Sequence, residues 1–172
     1  NPPEAGTEVF AMDIGAGTGG GGSITTPDLD SGFPVDFGIV KQVASANNWD
    51  TSARLLQTLF VRTNSDVAEQ TSNGYYFDSN VGWGNQSWLD SSVQSWMWKR
   101  GQGMDVVNYT GNGVKGLSIP HSMNAAPEMM IIKRRDSTQG WLVYHIGLNG
   151  GEGNTYEYGI NLTDSAEWQE GT

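Results

Sequence analysis

The chain has no cysteine, two histidines, and nine Lys and Arg against 19 Asp and Glu. Without cysteine there is no disulfide scaffold, no Cys-ligated zinc, no iron–sulfur cluster and no thiol nucleophile. Two imidazoles leave little for a His-rich metal site. A formal charge of −10 argues against a grip on nucleic acid, which needs basic patches to meet phosphates. Long hydrophobic runs are missing too: stretches such as Met129 to Ile132 fall far short of the roughly 18 residues of a membrane span. Good helix formers are scarce, and no long amphipathic stretch is found.

What is abundant is small and polar. Gly, Ser, Thr and Asn make up 65 of 172 residues. Gly supplies positive φ, while Asn and Ser bond their own backbone, so these residues make turns. Short apolar runs between such turns predict an all-β domain. With 37% hydrophobic residues and seven Trp, the chain can bury a core and is not disordered. It opens on Asn1 without a signal-peptide pattern, which predicts a processed product or a piece of something longer.

The chain contains an internal repeat. Pro34 leads through Ile39-Val40-Lys41 and seven further residues to Trp49; Pro127 leads through Ile131-Ile132-Lys133 and seven further residues to Trp141. Upstream, Asp13 to Gly19 resembles Val107 to Gly113, and Ile24 and Ile119 each precede the prolines. Downstream, Leu59 to Glu69 resembles Tyr158 to Glu167. This predicts an N-terminal tail over 1–7, a first β-unit over 8–100 and a related second unit over 101–172. The second lacks a counterpart of about residues 70 to 100. The expected fold is all-β, two related antiparallel sandwich or jelly-roll-like units with the second incomplete.

Local pattern gives the strands. Pro127 suits a strand start, Met129 to Ile132 reads as a strand covered on both faces, and Asp136 to Gly140 is a turn by composition. Trp141 to His145 then returns as the hairpin partner. Trp49 and Trp141, each opening a returning strand, are expected in the core with Ile131. A buried indole removes about 150–250 Å² from water, an upper bound of roughly 4–6 kcal/mol. Trp96 and Trp98 share one face of an extended segment and are expected in the core as well. Asp105 to Thr110 reads as the next strand, Tyr156 to Leu162 as a half-buried one, and Asn85 to Ser95 carries a weak helix pattern.

Reactive constellations are few. His121 and His145 have no carboxylate at ligand spacing, and no Gly-x-Ser-x-Gly elbow is present. Asp28, Asp30 and Asp36 around Gly32 lack the full ligand series of a calcium loop and read as a solvated acidic loop. Gly15 to Gly22 lacks the lysine of a phosphate loop and reads as flexible or tightly packed. Asp78, Asp90 and Glu128 could pair as acid and base, but 19 acids always supply some pair. Asn85, Asn108 and Asn161 begin Asn-x-Ser/Thr triplets that composition alone explains. Trp83 and Trp88, with Asn85 between them on a Gly/Asn/Ser-rich stretch, could stack on sugar rings, cap a sandwich or sit in a subunit contact.

The run Asp105 to Gly113, then Ile119-Pro120-His121-Ser122, then Ala126 to Ser137 and Trp141 to His145, resembles an uncharacterised β-rich repeat module of tailed-bacteriophage structural proteins of the marine and cyanobacterial type. Phe33 to Asp36 and Ser95 to Arg100 resemble the part preceding it. The resemblance covers roughly residues 33 to 167; the Gly19 to Gly22 run departs from it. It implies a virion or tail-associated β-module and carries no catalytic residues. The expected function is a structural component of a phage virion or tail, a fibre, decoration or filament-forming protein, located in a virion or outside cells. Its partners would be copies of itself or other virion proteins, with no cofactor, no metal, no nucleic acid and no membrane insertion. The alternative is a lectin-like module that recognises a host surface glycan.

Overall fold

A computed structural model describes residues 6–17, 26–151, 158–162 and 164–169. Most of the glycine run, Ile24 and Tyr156 lie outside the described residues. One helical turn (Gly6–Val9) leads into β1 (Phe10–Ile14), followed by β2 (Leu29–Asp30), β3 (Phe37–Gln42), β4 (Asp50–Ala53), β5 (Leu59–Arg62), β6 (Gln70–Thr71), β7 (Gly82–Trp83) and β8 (Val93–Trp98). Then come β9 (Met129–Lys133), β10 (Trp141–His145), a 3-10 turn (Leu148–Gly151), β11 (Tyr158–Asn161) and β12 (Asp164–Gln169). Six strands form one sheet in the order β1-β8-β3-β4-β5-β6, four form a second in the order β12-β11-β10-β9, and β2 pairs with β7. The protein is all-β and sandwich-like. No helix among the described residues is long and apolar enough to cross a membrane.

The core lies against one face of the six-stranded sheet. Alternation along β8 points Val93, Ser95 and Met97 inward and leaves Gln94, Trp96 and Trp98 half-buried on the other side. Val40, Phe60 and these residues meet Leu29, Tyr75, Phe77, Trp83 and Leu89, which come from the β2–β7 ladder and the 72–92 loops. Trp83 is therefore not a loop aromatic waiting for a sugar. It is 0% exposed and stacks on Phe77 and Tyr75, and its Nε1 donates to Ser95 Oγ at 3.1 Å. The flanking glycines that made it look like loop sequence are packed too: a Cβ on Gly82 would sit 2.1 Å from the Leu29 carbonyl oxygen and one on Gly84 2.6 Å from the Leu89 side chain, and two distant glycines are as tight. A Cβ on Gly38 would sit 2.4 Å from the Trp83 ring, and one on Gly15 only 2.1 Å from the Leu89 carbonyl oxygen.

Four strands of the first half recur in the second, β3 to β6 as β9 to β12. Ile39↔Thr51 and Val40↔Asp50 across β3 and β4 correspond to Ile131↔Val143 and Ile132↔Leu142 across β9 and β10. Asp50↔Arg62 corresponds to Leu142↔Asn161, and Leu59↔Thr71 to Tyr158↔Gln169. Even the hydrogen bond closing the meander recurs: Arg54 N donates to Asp36 O at 2.9 Å, and Ile146 N to Glu128 O at 2.8 Å. A four-strand antiparallel meander is thus built twice, in one register.

The surroundings of the copies differ, and this overturns several expectations. Trp49 is 38% exposed and stacks on Trp96 at 5.2 Å instead of entering the core. Trp96 and Trp98 are half-buried on the face away from the core, Trp98 between Phe10 and Phe37. Trp141 is buried, at 6%. Ile131 is 50% exposed, and Met129 and Met130 are exposed with it. The apolar run of β9 reads as a strand covered on both faces, but β9 is the last strand of its sheet. Residues 105–110 are not a strand; Val107 and Tyr109 are exposed because no neighbouring strand lies along them. Residues 86–92 form turns, not a helix. Asp28 is buried, with its carboxylate accepting from Gln86 N, so of that acidic loop it is Asp30 that is exposed and not Asp28.

Candidate functional site

Two places bring chemistry-bearing side chains together. The first is a cleft of about 410 Å³ between the β3–β4 turn and the 75–88 segment. The polar turn Asn47-Asn48 brings amides to its rim beside Gln42 and Lys41. Its floor is a charged pair: Arg62 Nε lies 3.1 Å from Asp50 Oδ1, while the Tyr75 hydroxyl donates to Asp50 Oδ2 at 2.9 Å. Burial first, and then the Asp50 charge, push the Tyr75 hydroxyl far above the usual phenol range, so it remains a donor. Trp88 stands at the rim, 42% exposed, with Tyr75 against it edge-on at 5.5 Å. The cleft thus combines an accessible indole with amides, a carboxylate and a guanidinium.

Of the expected contact residues, Trp88 lines this cleft and Trp83 and Asn85 do not; the Asn85 backbone N–H donates to Gly74 O at 2.9 Å. Gln42, Asn47, Asn48, Asp50, Arg62 and Tyr75 were not legible as a group. They come from three separate stretches, and only the β3–β4–β5 register gathers them. The imidazoles serve local turns: His121 Nδ1 accepts from Met123 N and His145 Nδ1 from Gly147 N. Asp90 accepts from both the N–H and the hydroxyl of Ser92. No group of three or more His, Cys, Asp or Glu able to hold a metal occurs among the described residues.

The second place is the contact between the repeated units. The Trp141 indole N–H donates to Arg62 O at 2.7 Å and to Ser65 O at 3.2 Å, so it seats on the loop after β5. Gln139 N donates to Asp66 O and Glu69 N to Arg135 O, each at 2.8 Å. Arg135 closes the contact on Glu69 at 2.7 Å. The second unit therefore offers the start of β10 and its preceding turn, and the first offers residues 62–69. These surfaces are unlike each other, which makes the contact heterologous.

A family model described as "Domain of unknown function (DUF7483)" matches residues 51–172. The chain belongs to this family. The DUF7483 match takes in both sides of the inter-unit contact, the 62–69 loop and Trp141. No curated protein and no solved structure matches the chain significantly.

Proposed function

We propose that this chain is a structural building unit that assembles head to tail, in the manner of a virion or tail-fibre component. One observation carries the reading. Trp141 of the second unit seats on the 62–66 loop of the first, whereas its register counterpart Trp49 is exposed, stacked on Trp96 and on no such loop among the described residues. A contact between unlike surfaces that does not close on itself can repeat along an axis, each unit meeting mainly its neighbours. The occupant of the Trp49 face would be the second unit of another copy, presenting the end of β11 near Asn161, where β11 matches β5, although β12 follows β11 there after a much shorter connection than the one between β5 and β6. Phe10, Met12, Trp96 and Phe37 lie beside Trp49 on that side of the sheet, an apolar patch of the kind that marks protein contacts. The net charge of −10 favours a body that stays dispersed until such a contact forms and that avoids nucleic acid.

Sedimentation velocity over a concentration series, with electron microscopy of the largest species, tests this. The expected result is open-ended association that Trp49→Ala weakens by at least about tenfold, close to 1.4 kcal/mol. A chain that stays monomeric at every accessible concentration, or association indifferent to Trp49, refutes it.

The cleft supports a second reading, a glycan-binding module, because an exposed Trp88 beside amides and a carboxylate matches the apolar face and hydroxyl edge of a sugar. Glycan-array binding that Trp88→Ala abolishes without loss of folding would favour it over the structural role.

A further inference from the structure

Among the described residues no strand of the second unit holds the place that β8 holds in the first, while the neighbours of that place recur. In the first unit β8 runs between β1 and β3, antiparallel to both: Trp96 lies opposite Met12 on one side and Ile39 on the other, and Ser95 opposite Asp13 and Val40. In the second unit, the strand corresponding to β3 is β9. The segment corresponding to β1 is Met104-Asp105-Val106, 92 positions after Met12-Asp13-Ile14, the same shift that relates β3 to β9. Its placement is fixed by the same bond. Asp13 Oδ2 accepts from Asp30 N at 2.7 Å, and Asp105 Oδ2 accepts from Ser122 N at 2.7 Å, again 92 positions on. Between this segment and β9 lies a groove of about 350 Å³, lined by Met104, Asp105 and the whole of β9, with Ile119 and Met123 among its remaining apolar lining.

We infer that this groove is an acceptor for one extended strand with the chemistry of β8, supplied from outside the described residues and seated antiparallel to β9. Register fixes how it sits. The residue in Trp96's place falls opposite Met104 and Ile131, and the residue in Ser95's place opposite Asp105 and Ile132. Three observations favour such an occupant over bare solvent. β9 has no strand on its outer side among the described residues, and an edge strand offers its N–H and C=O groups to another chain. Met129, Met130 and Ile131 are exposed, whereas their counterparts Phe37, Gly38 and Ile39 are buried or half-buried under the β8 register. Finally, Met130 stands where Gly38 makes room for the Trp83 ring, so the second unit needs only the strand, not a copy of the Trp83 packing. This inference rests on reading the chain as a repeated building unit and names the partner of one face of that unit.

The probe is a synthetic peptide with the sequence of residues 91–100, added to the full chain. Hydrogen exchange is followed by mass spectrometry and affinity by titration calorimetry. The expected result is at least tenfold slower exchange both in residues 104–106 and in residues 129–133. A peptide carrying Ser95→Pro, which lacks the ladder N–H, should bind at least tenfold more weakly. Ile131→Lys in the protein, an exposed change that leaves the fold intact by circular dichroism, should weaken binding by a similar factor. The inference is overturned by no binding, by protection of one wall only, or by equal binding of the proline peptide. It is also overturned if raising the protein concentration alone protects residues 129–133, for then a second copy occupies the edge. Sedimentation in the same samples separates the two proposals. Peptide binding lost with head-to-tail association intact defeats only the acceptor groove, and the reverse defeats only the stacking.

Discussion

Replacing Trp141 by alanine measures how much one unit depends on the other. The side chain is 6% exposed, so nearly all of an indole worth about 150–250 Å² is covered, and at ~25 cal/mol per Å² the transfer loss is bounded near 4–6 kcal/mol. The lost donor adds a cost at Arg62 O and Ser65 O, about 0.5–1.5 kcal/mol for a typical hydrogen bond. Partial collapse of the 62–69 loop into the space recovers some of this. The expected destabilisation is about 3–5 kcal/mol, the range for large aromatic truncations. Trp141→Phe keeps most of the apolar area and should lose only about 1–2 kcal/mol. Trp49→Ala, at a position equivalent in register but 38% exposed, should cost about 1–2 kcal/mol, mainly its stack on Trp96. The assay is urea unfolding of the three variants followed by fluorescence and far-UV circular dichroism. A loss below about 1 kcal/mol for Trp141→Ala, or one no larger than that of Trp49→Ala, refutes the assignment of this tryptophan to the contact between units.

Gly38→Ala should destabilise by about 1–3 kcal/mol, because the new Cβ meets the Trp83 ring 2.4 Å away in a packed core; differential scanning calorimetry reads the fall in Tm. Asp105 gives a pH test. Burial raises its carboxyl pKa, but bonds from the Ser122 N–H and hydroxyl and from Val106 N, with the charge of Arg100, outweigh burial and hold it below the usual carboxylate value. A depressed folded-state pKa means that the unfolded chain takes up the proton first. The contribution is then present above the unfolded value, near ~3.9, and is lost as pH falls through the lower folded one. Asp105→Asn should remove that part of the acid sensitivity, read as a flatter stability-against-pH curve below about pH 5; an unchanged slope would refute it.

The sequence carried the architecture further than the environments. A Pro, two aliphatics and a lysine, seven residues and a tryptophan were enough to pair the hairpins, because antiparallel register follows from local turn length and alternation. The same reasoning misjudged three side chains. Trp83 read as loop because its neighbours are Gly and Asn, yet a distant glycine, Gly38 on β3, leaves room for its indole, which bonds Ser95 on β8. Ile131 read as core because β9 is apolar, yet burial needs a strand on its outer side, and alternation along one strand says nothing about that neighbour. The cleft at Trp88 stayed hidden because its lining converges from residues 40–50, 62 and 75–93.

By itself, the sequence determined that the chain is all-β, that its strands alternate, and that one hairpin pattern occurs twice, since turn chemistry and period-two patterning act over a few residues. Only the tertiary structure decided that Trp141 is buried and Trp49 is not, and that β9 faces a groove where β3 faces a strand. The physical reason is that burial depends on the partner surface as well as on the side chain: at equivalent register positions Trp141 meets the loop after β5, whereas Trp49 meets only the face of Trp96.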